Sequence, residues 1–185
     1  MHRFEYHAPT SLDEAVALLK EHGDGTKLLA GGTDLLVHMK EGGLHPPMVV
    51  SLHAVAGLDG ISFDESDGLR IGSAASMDEI ATNDTIRQRY AALAEGAGVV
   101  GSVQTRSMAT LGGNIANAAP SADTAPPLVV FDAIAQIIGS DGAREVPVID
   151  LSKGPGSTVL AVDEVLTGFR LPTPPADTGS VYQRH

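Results

Sequence analysis

The chain has 185 residues, of which 43% are hydrophobic and 19% charged, enough apolar mass for a folded core and too little charge for a disordered chain. A formal net charge of −11, with only 12 Lys plus Arg, speaks against a nucleic-acid footprint. The absence of cysteine excludes disulfides, cysteine nucleophiles, thiolate zinc sites and any Fe–S cluster ligated by this chain.

In chain order, Phe4–Tyr6 predicts a short edge strand ended by Pro9. "TSLDEAVALLKEHG" then predicts a helix, with Thr10 or Ser11 as cap, Asp13 and Glu14 in the first turn and an apolar stripe through Leu12, Ala15, Leu18 and Leu19. "TKLLA" is a strand. "DLLVHMKEG" fits a short helix or an inward-packing extended run, and "MVVSL" (48–52) and "LRIGS" (69–73) are further strands. Ser76 with Glu79 matches a capping box, and helical character runs on through "TIRQRYAALAEGAGVVG". The stretch "SVQTRSMATLGGNIANAAPSADTAPPLVVFDA" is too apolar for a linker and predicts buried turns supporting a site, followed by a helix or extended run over Leu128–Phe131. "AQIIG", "REVPV" and "TVLAVDEVLTGFRLP" predict a small antiparallel or mixed sheet. The sum is an α+β fold: an early β–α–β lobe ending near Leu52, a larger sheet-and-helix lobe, and a Pro-rich, polar tail. The opening MHRFEYHAPT lacks an apolar leader core, and no apolar run approaches the ~18 residues of a membrane span, so a cytoplasmic location is expected.

Two segments share a pattern of apolar run, Gly-Gly and polar pair: "LLAGGTDLL" and "MATLGGNIA". Glycine lets successive backbone N–H groups turn into one concavity, and such a nest favours an anion. The first loop offers the N–H groups around Ala30–Thr33 and the Thr33 hydroxyl, with Asp34 suited to capping the next turn or orienting the loop. The second offers Thr110, Gly112, Gly113 and Asn114, with Asn117 and Asp123 as partners for ligand hydroxyls. Two such turns could approach one pyrophosphate from opposite sides. Each also fits an ordinary tight turn, and neither matches GxGxxG or GxxxxGK[ST]. The histidines are scattered without HExxH, and no GxSxG elbow occurs. Arg106 fits a phosphate contact, a surface position or a buried cap, and Met39 and Met77 read as core.

With these loops in hand, the sequence resembles the FAD-binding (medium) subunit of molybdenum hydroxylases of the xanthine dehydrogenase and carbon monoxide dehydrogenase type. The resemblance rests on "LLAGGTDLL" (28–36), "GLRIGSAASMDEI" (68–80), "TLGGNIANAAPSAD" (110–123), "REVPVIDLSKGPGSTVL" (144–160) and "DEVLTGFRLP" (163–172). It implies a vanillyl-alcohol-oxidase-type (PCMH-type) FAD-binding fold with two α/β subdomains, 1–55 and 56–175, and a linker at 176–185 cut off before the family's C-terminal domain. It further implies cofactor contacts from Leu29, Ala30, Gly31, Gly32, Thr33 and Asp34 in the first lobe. From the second it implies Thr110, Gly112, Gly113, Asn114, Asn117, Asp123 and Leu166, the last approaching the flavin or adenine with an apolar side chain. Within "SVYQRH", Arg184 stands where the family usually has Lys.

The implied role is a flavoprotein relay, with no acid–base residue assigned. Electrons pass from [2Fe-2S] clusters on a small partner subunit through FAD to NAD+, a quinone or another acceptor, while a molybdopterin-binding large subunit selects the substrate. The alternatives are a stand-alone flavin oxidoreductase of the same fold group and a truncated, non-catalytic assembly domain.

Overall fold

A computed structural model describes residues 2–184. The chain opens with β1 (Glu5–His7), α1 (Leu12–His22), β2 (Thr26–Leu29), α2 (Leu35–Glu41) and β3 (Met48–Ser51). Ser11 caps α1, its hydroxyl accepting from the Glu14 N–H at 3.2 Å, while the Glu14 carboxylate accepts from the Thr10 N–H at 2.8 Å. The three strands form a parallel sheet in the order β1-β3-β2. The central strand β3 is buried throughout, in keeping with its apolar run Met48–Val50. Ala15, Val16 and Leu19 of α1 pack with Met48, Val50 and Leu52. Of the two readings open for residues 34–42, the helix is the one observed, with Met39 buried.

The larger part begins with β4 (Ile61–Asp64) and β5 (Gly68–Gly72), followed by α3 (Met77–Thr82), α4 (Asp84–Arg89), α5 (Ala91–Gly98), α6 (Val103–Arg106), α7 (Leu111–Ala116) and α8 (Ala125–Val130). The capping box on α3 forms: the Ser76 hydroxyl accepts from the Glu79 N–H at 3.1 Å, and the Glu79 carboxylate accepts from the Ser76 N–H at 2.9 Å. The helical run expected to continue through Tyr90 breaks there, at φ −130° and ψ 46°. Its ring is fully buried and its hydroxyl donates to the Pro172 carbonyl at 3.0 Å, so a tertiary contact overrides local helix preference. The expected turns around the second glycine pair are instead the short helices α6 and α7.

The chain then adds β6 (Ile134–Gly139), β7 (Gly142–Pro147), α9 (Val148–Leu151), a β8 (Ser152–Gly154) to β9 (Ser157–Thr158) ribbon, and β10 (Val165–Leu171). The second sheet is antiparallel throughout, in the order β4-β5-β10-β6-β7. β10 sits at its centre and carries a register shift against β6 between Leu166 and Gly168. That shift breaks strict alternation. Leu166 therefore joins Phe169 and Leu171 in the main core, while Val165 completes the core of the first sheet. Residues after β10 lie along α5: Ala92 N–H donates to Ser180 Oγ at 3.1 Å and Tyr182 N–H to Glu95 Oε2 at 2.7 Å. Among the described residues no helix is long and apolar enough to cross a membrane.

Candidate functional site

The two glycine loops meet. Gly31 lies against the backbone of Met108 and Ala109 so closely that a Cβ there would sit 2.8 Å from the Met108 carbonyl carbon. Across the same junction Asn117 Nδ2 donates to Asp34 Oδ2 at 3.2 Å. Between the loops runs a cleft of about 660 Å³, within the range of small-molecule sites. Its walls include Ala30–Leu35 on one side and Thr110, Gly112, Gly113, Asn114 and Asn117 on the other, with Leu166 at the base of β10.

The first loop leaves β2 at the edge of the parallel sheet and enters α2 through Gly32, whose φ of 74° suits glycine. Among the described residues, none of the backbone N–H groups of residues 30–35 donates to a protein acceptor; the intrahelical bonds begin with Leu36 N–H to the Gly32 carbonyl. Six consecutive cleft-lining residues thus keep their donors available, a donor set that fits an anion. Asp34 occupies the N-cap position of α2 but makes no side-chain cap, so of its two expected roles, tying the loop to Asn117 is the one observed.

The second glycine pair contributes differently from the expected backbone cradle. Gly112 N–H donates to the Ser73 carbonyl at 2.8 Å, Gly113 N–H to Thr110 Oγ1 at 3.1 Å, Asn114 N–H to the Thr110 carbonyl at 3.0 Å and Leu111 N–H to the Ala75 carbonyl at 3.0 Å. The Gly112 and Leu111 bonds seat the first turn of α7 on the segment just after β5, and the other two close its N-terminal cap. A Cβ on Gly112 would lie 2.6 Å from Ser73 Cβ, so glycine here serves close packing. What this wall presents is side chains, chiefly Asn114 and Asn117, and the thin edge at Gly113.

Two expected contacts lie off the cleft. Leu29 ends β2, its carbonyl accepting from Leu52 N–H at 2.9 Å. Asp123 follows the wall residue Ala122, but its carboxylate accepts from the Tyr182 hydroxyl at 2.7 Å and pairs with Arg184 at 3.6 Å. That bond to Asp123 raises the Tyr182 pKa, burial adding to it. Arg106 takes a cap role, donating to the Val100 carbonyl at 3.2 Å.

Sequence reasoning missed Ser73, Gly156, Leu160 and Glu164 as wall residues. Glu164 is 12% exposed and takes a two-pronged bond from Arg144, Nε to Oε1 at 2.6 Å and a terminal nitrogen to Oε2 at 2.7 Å. The Arg144 guanidinium holds this carboxyl below its ordinary range. Oε2 also accepts from Ala161 N–H at 2.7 Å, which fixes the 156–161 loop against the cleft. Its place within the "DEVLTGF" segment (163–169) is the one sequence signal that could have marked Glu164.

Residues 2–174 match the family model described as "FAD binding domain in molybdopterin dehydrogenase". The xanthine dehydrogenase FAD-binding subunit of Escherichia coli O157:H7 is 38% identical over 97% of this chain and 62% of its own length. The carbon monoxide dehydrogenase medium chain of Hydrogenophaga pseudoflava is 34% identical over 98% of this chain and 63% of its own. Among solved structures, carbon monoxide dehydrogenase from the latter organism superposes with a TM-score of 0.91 at 34% identity, over 95% of this chain and 61% of that one. Reconstituted CO dehydrogenase from Oligotropha carboxidovorans gives 0.90 at 32%, over 94% and 60%. This chain therefore spans about three fifths of the length of the relatives it matches. The family match over residues 2–174, with these relatives and this fold, shows that the chain belongs to the family of FAD-binding domains of molybdopterin dehydrogenases.

Proposed function

We propose that this chain is the FAD-binding part of a molybdenum hydroxylase, an oxidoreductase component that works within a complex. The observation that carries the proposal is the run of unengaged N–H donors on residues 30–35 along the cleft. A pyrophosphate is the anion such a run suits, because backbone N–H donors can serve it without a cationic side chain. Ala30–Thr33 hold that group on this reading, Thr110, Gly113, Asn114 and Asn117 face it from the opposite wall, and Leu166 supplies apolar contact to a ring. The fold is then of the vanillyl-alcohol-oxidase (PCMH) type, with FAD between subdomains 1–55 and 56–175.

When bound, FAD supplies exchange between electron pairs and single electrons; the protein binds and orients it. Having no cysteine, this chain leaves [2Fe-2S] ligation to a small partner subunit, and a molybdopterin-binding large subunit supplies substrate chemistry. NAD+, a quinone or another carrier is the acceptor. Named relatives differ in substrate while sharing this domain, in keeping with substrate choice outside it.

The test is titration of the purified chain with FAD and with riboflavin, read by flavin fluorescence. Stoichiometric uptake of FAD, with riboflavin at least about tenfold weaker for want of the pyrophosphate, is expected. Absence of FAD uptake by folded protein, or equal affinity for the two, overturns the assignment.

A further inference from the structure

Thr124 is fully buried at the N-cap of α8, a position where a threonine hydroxyl ordinarily accepts from the second or third helical N–H. Here those positions are Pro126 and Pro127, which have no N–H, so the hydroxyl has no capping work. A buried hydroxyl without a partner is costly, and valine would fill the same space without that cost. The hydroxyl instead donates to Asn114 Oδ1 at 2.6 Å. That bond sets which end of the Asn114 amide faces which way. With Oδ1 engaged from behind, Nδ2 and its two N–H groups remain, and among the described residues they meet no protein acceptor. Asn114 lines the cleft; Thr124 does not.

We propose that Thr124 is a positioning residue for the cofactor cleft, holding Asn114 as a hydrogen-bond donor toward an acceptor atom of bound FAD. The inference rests on the FAD reading above and adds a polarity to one wall: position 114 recognises a carbonyl, ring-nitrogen or phosphate acceptor, not a ribose or ribityl hydroxyl acting as donor.

The experiment is FAD titration of the full chain carrying Thr124→Val, Thr124→Ser, Asn114→Ala or Thr124→Val with Asn114→Ala, with a melting temperature for each. Thr124→Val is expected to weaken FAD about tenfold, Thr124→Ser by no more than about twofold, and Thr124→Val by nothing further once Asn114 is alanine. Thr124→Ala takes the place of the valine variant if that one does not fold. An affinity for Thr124→Val within about twofold of the parent, or the same loss with and without Asn114, overturns the inference while leaving the FAD reading intact. A folded parent that takes up no FAD overturns both.

Discussion

Gly31→Ala tests the junction on which the cleft depends. A methyl carbon at Gly31 would lie 2.8 Å from the Met108 carbonyl carbon and 3.0 Å from Ala109 Cα, and nearer still to the Met108 oxygen. Carbon atoms settle at about 3.5–4.0 Å, and the oxygen contact is tighter still, so the two backbones must part by about 1 Å or more. No rotamer relieves the contact, because both partners are main chain. Overpacking of this kind costs about 1–3 kcal/mol. If that cost falls on the closed cleft, FAD affinity drops by about 5- to 150-fold. The assay is fluorescence titration of FAD against Gly31→Ala, with Gly60→Ala as control, since a Cβ at Gly60 meets nothing within 4 Å. A folded Gly31→Ala protein with the parent's affinity and melting temperature would refute the contact between the loops and the geometry built on it.

Two further outcomes follow from the wall and the core. Glu164→Gln removes a carboxylate held below its ordinary value of 4.5 chiefly by its bond from Arg144, and is expected to cost about 1–2 kcal/mol at neutral pH. Because the folded value is the lower one, that stabilisation is complete above 4.5 and fades as pH falls through the folded value, so denaturant melts of the two proteins should converge on acidification. A difference that stays constant across that window contradicts the assignment. Phe169→Ala, at a fully buried position in β10, is expected to cost about 3–5 kcal/mol, read as a lowered denaturant midpoint.

Much of the scaffold was legible because its signals are local. Ser76 and Glu79 are three residues apart and cap α3 as their spacing predicts. The apolar run at β3 is a central strand, buried on both faces. β4 escaped notice because "ISFD" is four residues of half-buried alternation that gains meaning only beside β5. Tyr90 gave no sign of ending a helix, since the reason is a carbonyl 82 residues away. At the site, both glycine pairs were visible as special, but their difference was not. Whether an N–H is free or spent depends on partners such as the Ser73 carbonyl, which sequence does not place. Asp123 carried the right chemistry for a ligand contact, and the structure turns its carboxylate to Tyr182 and Arg184. Arg144 and Glu164, 20 residues apart, likewise reveal their pairing only in three dimensions.

The register shift in β10 has a mechanical meaning. A single strand lends Val165 to one hydrophobic cluster and Leu166, Phe169 and Leu171 to the other. The first half of the molecule does not own a complete interior, because β10 must be in place before Val165 seals the cluster beneath the first sheet. The two halves are thereby expected to melt in one cooperative transition, with the groove between them spanned by a shared beam.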